Sequence, residues 1–189
     1  MRKLIVIGAL IFGLALMMGC EKREDPVARG RYLVTVGGCN DCHTPSVPGP
    51  GGMPVPDTTL LLSGHPASLP YPSWTPEDMQ QRNAIALCGP MLTAWAGPWG
   101  VSFTMNLTPD QETGIGEWTE EAFVSAMRTG KHQGQPNARE ILPPMPWQNL
   151  KLMTDPDLKA MWAYLRTIPP VKNQVPLPVP PGTPPPPAQ

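Results

Sequence analysis

The stretch "GGCNDCHTP", Gly37 to Pro45, sets two cysteines three positions apart and a histidine directly after the second. Residues in this pattern serve three chemistries: a zinc site, a thiol–disulfide pair, or covalent attachment of haem. A tetrahedral structural zinc takes four ligands, yet Cys20, Cys88, His65 and His132 lie scattered and single along the chain. A thioredoxin-like pair belongs to a strand–helix setting, whereas a Pro- and Gly-rich stretch follows this one. Haem c suits every residue: Cys39 and Cys42 would add to vinyl groups on one macrocycle edge, and His43 would be the proximal iron ligand. One such motif implies one haem.

Composition points to a scaffold that suits such a group. The chain has 189 residues, 28 of them proline, with three phenylalanines and three tyrosines. Proline removes a backbone donor and breaks helix interiors. The expected fold class is therefore all-α, with short helices and long Pro/Gly-rich loops around one covalently bound haem. The net charge of -1, with no basic stripe, argues against a nucleic-acid partner.

The N-terminus reads as a targeting segment. Arg2 and Lys3 precede an apolar run, Leu4 to Met18, which ends at Gly19-Cys20. That order of charge, apolar core and small residue marks export, and the run is shorter than the roughly 20 residues a bilayer span needs. "LMMGC" resembles the end of a bacterial lipoprotein signal, with lipid attached to Cys20. An uncleaved anchor or simple secretion are the other readings, and all three export the chain. The expected location is the periplasmic side of the cell envelope, lipid-anchored, and Glu21 after Cys20 slightly favours the outer membrane. Without Arg2 and Lys3 the chain carries 12 basic and 15 acidic residues, net -3.

The domain plan follows from breakers and caps: 1–19 signal peptide, 20–26 tether, 27–168 haem domain, 169–189 Pro-rich extended tail. A first helix starts near Pro26 and runs to Gly37-Gly38. "TPEDMQQRNAIAL", 75–87, suggests a second, capped by Thr75. Thr119 and Gly130 bound a third. Thr154 with Asp157 resembles a capping box before Leu158, Met161, Trp162 and Leu165, which recur at helical spacing until Pro169-Pro170. The last 21 residues hold 10 prolines, as a polyproline-type extension would.

A methionine opposite His43 would close the iron and raise its potential, as one-electron transfer requires. Met127 and Met161 fall on apolar helix faces, Met153 at a helix entrance and Met79 on a polar turn. Met53, Met91, Met105 and Met145 lie in loops and stay in play. Met145 stands apart because Pro144 and Pro146 flank it and reduce the entropy lost when its side chain is held on a metal.

Three runs, "NLTPDQETGIGEWTEEAFVSAMRTGKHQG", "LPPMPWQNL" and "DPDLKAMWAYLRTIPPV", resemble the haem c domains of membrane-linked alcohol and gluconate dehydrogenase cytochrome subunits. The likeness covers roughly residues 27–172. It implies a small cytochrome c fold, and it implies Met145, in the "PMP" triplet, as the second axial ligand. Those subunits usually carry three haem domains and this chain one, so oxidation of a sugar or alcohol is not implied. The expected role is a single-haem electron carrier, or an electron-transfer subunit of a dehydrogenase or oxidase complex, rather than an enzyme. It would pass electrons among dehydrogenase, oxidase or quinol-linked partners. The alternative is a haem c enzyme or a gas or redox sensor with a displaceable distal ligand.

Other residues carry lesser expectations. Tyr32 and Tyr164 resemble the contact between terminal helices of small cytochromes c. Trp118 and Trp147 would either donate to haem propionates or line the pocket. His65 and His132 read as surface or loop groups, and Cys88 as a buried thiol. The carbonyl accepting the His43 Nδ1–H is expected from the loop after it, with Pro48 and Pro50 as candidates.

Overall fold

A computed structural model describes residues 24–69 and 84–183. Helix α1, Pro26–Val36, begins where the Asp25 carboxylate accepts the Val27 N–H at 3.0 Å and proline takes the first turn. It ends at Gly37, and Gly38, at φ 67°, redirects the chain into the short helix α2, Cys39–His43. Helix α3, Glu120–Thr129, is capped by Thr119 and terminated by left-handed Gly130. The short α4, Trp147–Leu150, leads to α5, Asp155–Leu165. Thr154 caps α5: its hydroxyl accepts the Asp157 N–H and donates to the Asp157 carboxylate at 3.0 Å.

Helices α1 and α5 make the most extensive contact between elements among the described residues. Gly30 permits it, since a Cβ there would lie 1.8 Å from the Ala160 carbonyl oxygen and 2.9 Å from Tyr164 Cβ. The contact between terminal helices is thus made by Gly30 and Tyr164, while Tyr32 is 57% exposed. Arg29 reinforces the crossing with an ion pair to Asp157 at 3.0 Å. Val34, Leu158, Met161 and Leu165 join Phe123 and Met127 of α3, and Leu62 and Ile115 from loops, in one apolar core.

The all-α expectation is overturned by two small antiparallel sheets. Strand β1, Ser46–Pro48, pairs with β2, Pro54–Pro56. Strands β3, Leu87–Cys88, β4, Ala94–Gly97, and β5, Gly100–Phe103, form a three-stranded meander. Proline, which supplies no N–H to a ladder, hides the first sheet from a reading of the sequence. Strands of two to four residues give too little alternation to reveal the second. The helix expected over 75–87 falls mainly outside the described residues, and its last residue, Leu87, opens β3.

After α5 the chain runs without regular structure and returns to β5, where Val179 and Val101 exchange two backbone hydrogen bonds of 2.8 and 2.9 Å. Residues 1–23, the expected signal, Cys20 and most of the tether, lie outside the described residues, as do 184–189.

Candidate functional site

Because α2 is a single turn, Cys39 and Cys42 share one side of it, and His43 follows at its end. Cys39 packs against the core and Cys42 is partly buried. Both thiols are free. Burial, with Asp41 adding to it, raises the Cys42 thiol above its ordinary range and pushes Cys39 up to about 11. Both are therefore protonated near neutrality. A thiol–disulfide exchange pair works through a thiolate, and its attacking cysteine has a lowered value. Among the described residues no group of three or more His, Cys, Asp or Glu is placed to hold a metal ion.

His43 is 7% exposed, and its Nδ1 lies 2.7 Å from the Met105 carbonyl oxygen. A carbonyl only accepts, so Nδ1 carries the proton and Nε2 presents a lone pair. Burial lowers the imidazole's affinity for a second proton, which the Met105 carbonyl only partly offsets. Among the described residues only Nδ1 has a hydrogen-bond partner, and a neutral imidazole anchored through one nitrogen is the form in which histidine ligates a metal. Two protonated thiols one turn apart, ready to add to vinyl groups, complete a donor set that fits haem c.

The anchoring carbonyl corrects the expectation of Pro48 or Pro50. It comes from Met105, 62 residues beyond His43, on the segment that leads from β5 into the "NLTPD" loop. The loop itself is built by its own polar groups. The Asn106 Oδ1 accepts from the Thr108 N–H at 3.0 Å and its hydroxyl at 2.8 Å, and the Asp110 carboxylate accepts from the Thr113 N–H and hydroxyl. The Ile115 N–H closes it on the Thr108 carbonyl, burying Ile115 completely. Arg166, past the end of α5, donates to the Gly116 carbonyl at 2.9 Å.

Met145 is partly buried against the same apolar core that Cys39 touches. Its N–H donates to the Leu142 carbonyl, and its carbonyl accepts from the Trp147 N–H. The Pro143 carbonyl accepts from the Ser102 hydroxyl at 2.6 Å, tying this loop to β5. Trp147 lies against Gly130, and Trp118 meets His132 edge-on at 5.6 Å.

Two minor expectations change. Cys88 is exposed, with its thiol donating to the Gly89 carbonyl. His65 is buried, 3% exposed, beside Thr93 and against the Phe103 ring. It is a loop hydrogen-bonder, as expected, but not a surface one: Thr93, just before β4, and Phe103 of β5 cover it.

Burial holds the His65 imidazole down to about 4, against 6.5 for a free ring. Between those values the unfolded chain binds the proton and the folded chain does not, so stability rises with pH across the window. The contribution is full above pH 6.5 and is lost as pH falls toward 4, on the order of 2 kcal/mol after allowing for solvent screening. His132, also lowered by burial, acts in the same direction, while the depressed Asp110 and Asp157 act at lower pH. Denaturant titrations of wild type and His65→Gln at pH 7, 5.5 and 4.5 isolate this residue. The wild type should lose the greater stability on acidification, whereas parallel losses would mean that His65 does not stay neutral when folded.

No model of a known protein family matches the chain. Similar curated proteins include the Gluconate 2-dehydrogenase cytochrome c subunit of Pantoea cypripedii, 27% identical over 85% of this chain and 26% of that protein. The Fructose dehydrogenase cytochrome subunit of Gluconobacter japonicus is 27% identical over 80% of this chain and 24% of that one. A nicotinate dehydrogenase subunit of Pseudomonas putida is 38% identical over 42% of this chain and 6% of its own length. The chain thus aligns with about a quarter or less of each of these relatives. Over most of its length, it is similar at moderate identity to cytochrome c subunits of dehydrogenases.

Proposed function

We propose that this chain is a single-haem c-type cytochrome that passes one electron at a time between redox proteins, with a dehydrogenase as one partner. The observation that carries this reading is His43: Nδ1 fixed on the Met105 carbonyl, Nε2 left as a lone pair, in a helix that also bears Cys39 and Cys42. The similarity to dehydrogenase cytochrome subunits supports it.

Cys39 and Cys42 would hold the haem by thioether bonds, and His43 and Met145 would bind its iron. When bound, the haem supplies a one-electron iron couple. The protein's part is to orient the imidazole through Met105, to hold the Met145 side chain in a loop with little freedom left to lose, and to exclude water with the core shared by α1, α3 and α5. No substrate need bind, so the chain acts as an electron carrier rather than as an enzyme.

Export and acylation of Cys20 belong to the same proposal, placing the carrier on the periplasmic side of the envelope with its lipid in a membrane. The supporting feature is the apolar run that ends at Gly19-Cys20. No helix among the described residues is long and apolar enough to cross a membrane.

The test is the absorption spectrum of the purified chain, first in alkaline pyridine and then, reduced with dithionite, under carbon monoxide. The expected result is one covalent haem per chain whose reduced spectrum carbon monoxide leaves unchanged, because Met145 occupies the sixth position. A rapid shift would mean an open or labile position and a ligand-binding role. A chain purified from a host competent in haem attachment, yet free of covalent haem, would overturn the cytochrome reading itself.

A further inference from the structure

The residues that follow α5 reach the proximal side of the site. The Asn173 Nδ2 donates to the Ser63 carbonyl at 2.7 Å and the His65 carbonyl at 2.9 Å, while its Oδ1 accepts from the Ala67 N–H at 2.9 Å. Its own backbone N–H donates to the Thr113 hydroxyl at 3.0 Å. One asparagine thus fastens the 63–67 loop to the "NLTPD" loop. Two residues earlier, the Val171 carbonyl accepts from Asn106 Nδ2 at 2.8 Å, and the Val171 N–H donates to the Thr108 hydroxyl at 3.0 Å.

Both loops bear on His43. The Gly64 N–H donates to the His43 carbonyl at 2.8 Å, and the His65 N–H donates to the Thr104 carbonyl at 2.9 Å. Gly64 leaves no room to slide, since a Cβ there would lie 2.6 Å from the Met105 carbonyl carbon. Met105, whose carbonyl accepts the His43 Nδ1–H, therefore stands between two held neighbours. Thr104 is held through His65 and Asn173, and the fully buried Asn106 is held by Val171.

We propose that Asn173 is a positioning residue for His43: by fixing the 63–67 loop and, through it, the Met105 carbonyl against Nδ1–H, it sets the imidazole's strength as an iron ligand. The inference rests on the haem reading above. A hydrogen bond from Nδ1–H makes the ring a stronger donor, and a stronger donor favours the oxidised iron. Loosening the clamp should therefore raise the reduction potential.

The test compares wild type, Asn173→Ala, Asn173→Asp and Lys172→Ala, all as full chains. Asn173→Asp keeps the size and the acceptor for Ala67 but loses both donors, so it guards against a misfolded alanine variant. Lys172→Ala removes an exposed ion pair with Glu112 and a weaker attraction to Asp110 but no hydrogen bond of Asn173, and serves as the control. Two readouts are taken: a redox titration, and the exchange rate of the His43 Nδ1 proton by NMR. For both Asn173 variants, the expected result is a shift of roughly threefold to tenfold in favour of the reduced form, tenfold being about 59 mV for one electron, with faster proton exchange. Lys172→Ala should match wild type. Potentials and exchange unchanged in both Asn173 variants, with only thermal stability reduced, would make Asn173 a purely structural tie and overturn the proposal. Should the wild-type chain carry no haem, the cytochrome reading fails by itself. The proton exchange rate then still decides whether Asn173 orders His43.

Discussion

Gly30→Ala is expected to destabilise the fold by about 3 kcal/mol, at or beyond the upper end of ordinary overpacking. In the interior of a solvated helix the same change would stabilise by up to about 1 kcal/mol, because alanine is the better helix former. Here the new methyl would sit 1.8 Å from a backbone carbonyl oxygen of α5, and backbone cannot rotate away as a side chain can. The helices must separate, which loosens Val34 from Leu158 and Leu165 and strains the Arg29–Asp157 pair. The melting temperature should fall by roughly 10 °C, on the scale of a few degrees per kcal/mol for a chain of this size. Because α1 feeds through Gly37 and Gly38 into Cys39, the yield of haem-bearing protein should fall with it. A Gly30→Ala protein that melts within about 2 °C of wild type, less than 1 kcal/mol on that scale, would show that α1 and α5 do not approach this closely.

That glycine shows where a sequence is readable and where it is not. Helices α1, α3 and α5 are legible because their ends are written locally: Pro26 in a first turn, Thr119 and Thr154 as caps, Gly130 as a left-handed stop. Within "VARGRYLVTV", however, Gly30 reads as a weak spot in a helix, since its purpose lies in the distant Ala160 of α5. The same holds for the sheets. Val47 and Val55 pair across prolines, and Val101 finds Val179 only after the whole domain has intervened. At the site, the residue types of "CNDCH" are what point to haem attachment. The group that fixes the His43 tautomer is a backbone carbonyl, which every residue has, so no signature marks Met105 for the task. The burial of His65 is illegible for a related reason: it is imposed by residues 28 and more positions downstream, Thr93 and Phe103.

Met145→Ala is expected to leave the haem attached through Cys39 and Cys42 while opening the iron. The geometry narrows the choice of ligand. The Met105 backbone is committed to the His43 Nδ1–H, on the side of the ring away from Nε2, so Met105 is not the methionine expected to share a metal with Nε2. Met53 is 68% exposed, and Met127 and Met161 are buried in the packing of α3 and α5. Met153 packs beside that core at the entrance to α5, and Met79 lies outside the described residues. Met145 and Met91 remain, and Met91 is tied by its carbonyl to Ser46, at the start of the strand just past His43. Met145 sits instead on a separate loop, its backbone bonded on both sides and flanked by prolines, so little entropy is lost when its sulfur binds. Because thioether ligation raises the potential, its removal should shift the redox equilibrium toward the oxidised form by at least tenfold, about 59 mV for one electron. Carbon monoxide should then bind the reduced protein rapidly, whereas the wild type resists it. Met91→Ala should behave as wild type in both measurements. If the two variants exchange behaviours, Met91 is the ligand, the loop carrying Met145 serves packing alone, and the distal face of the site is built from the β3–β4 turn.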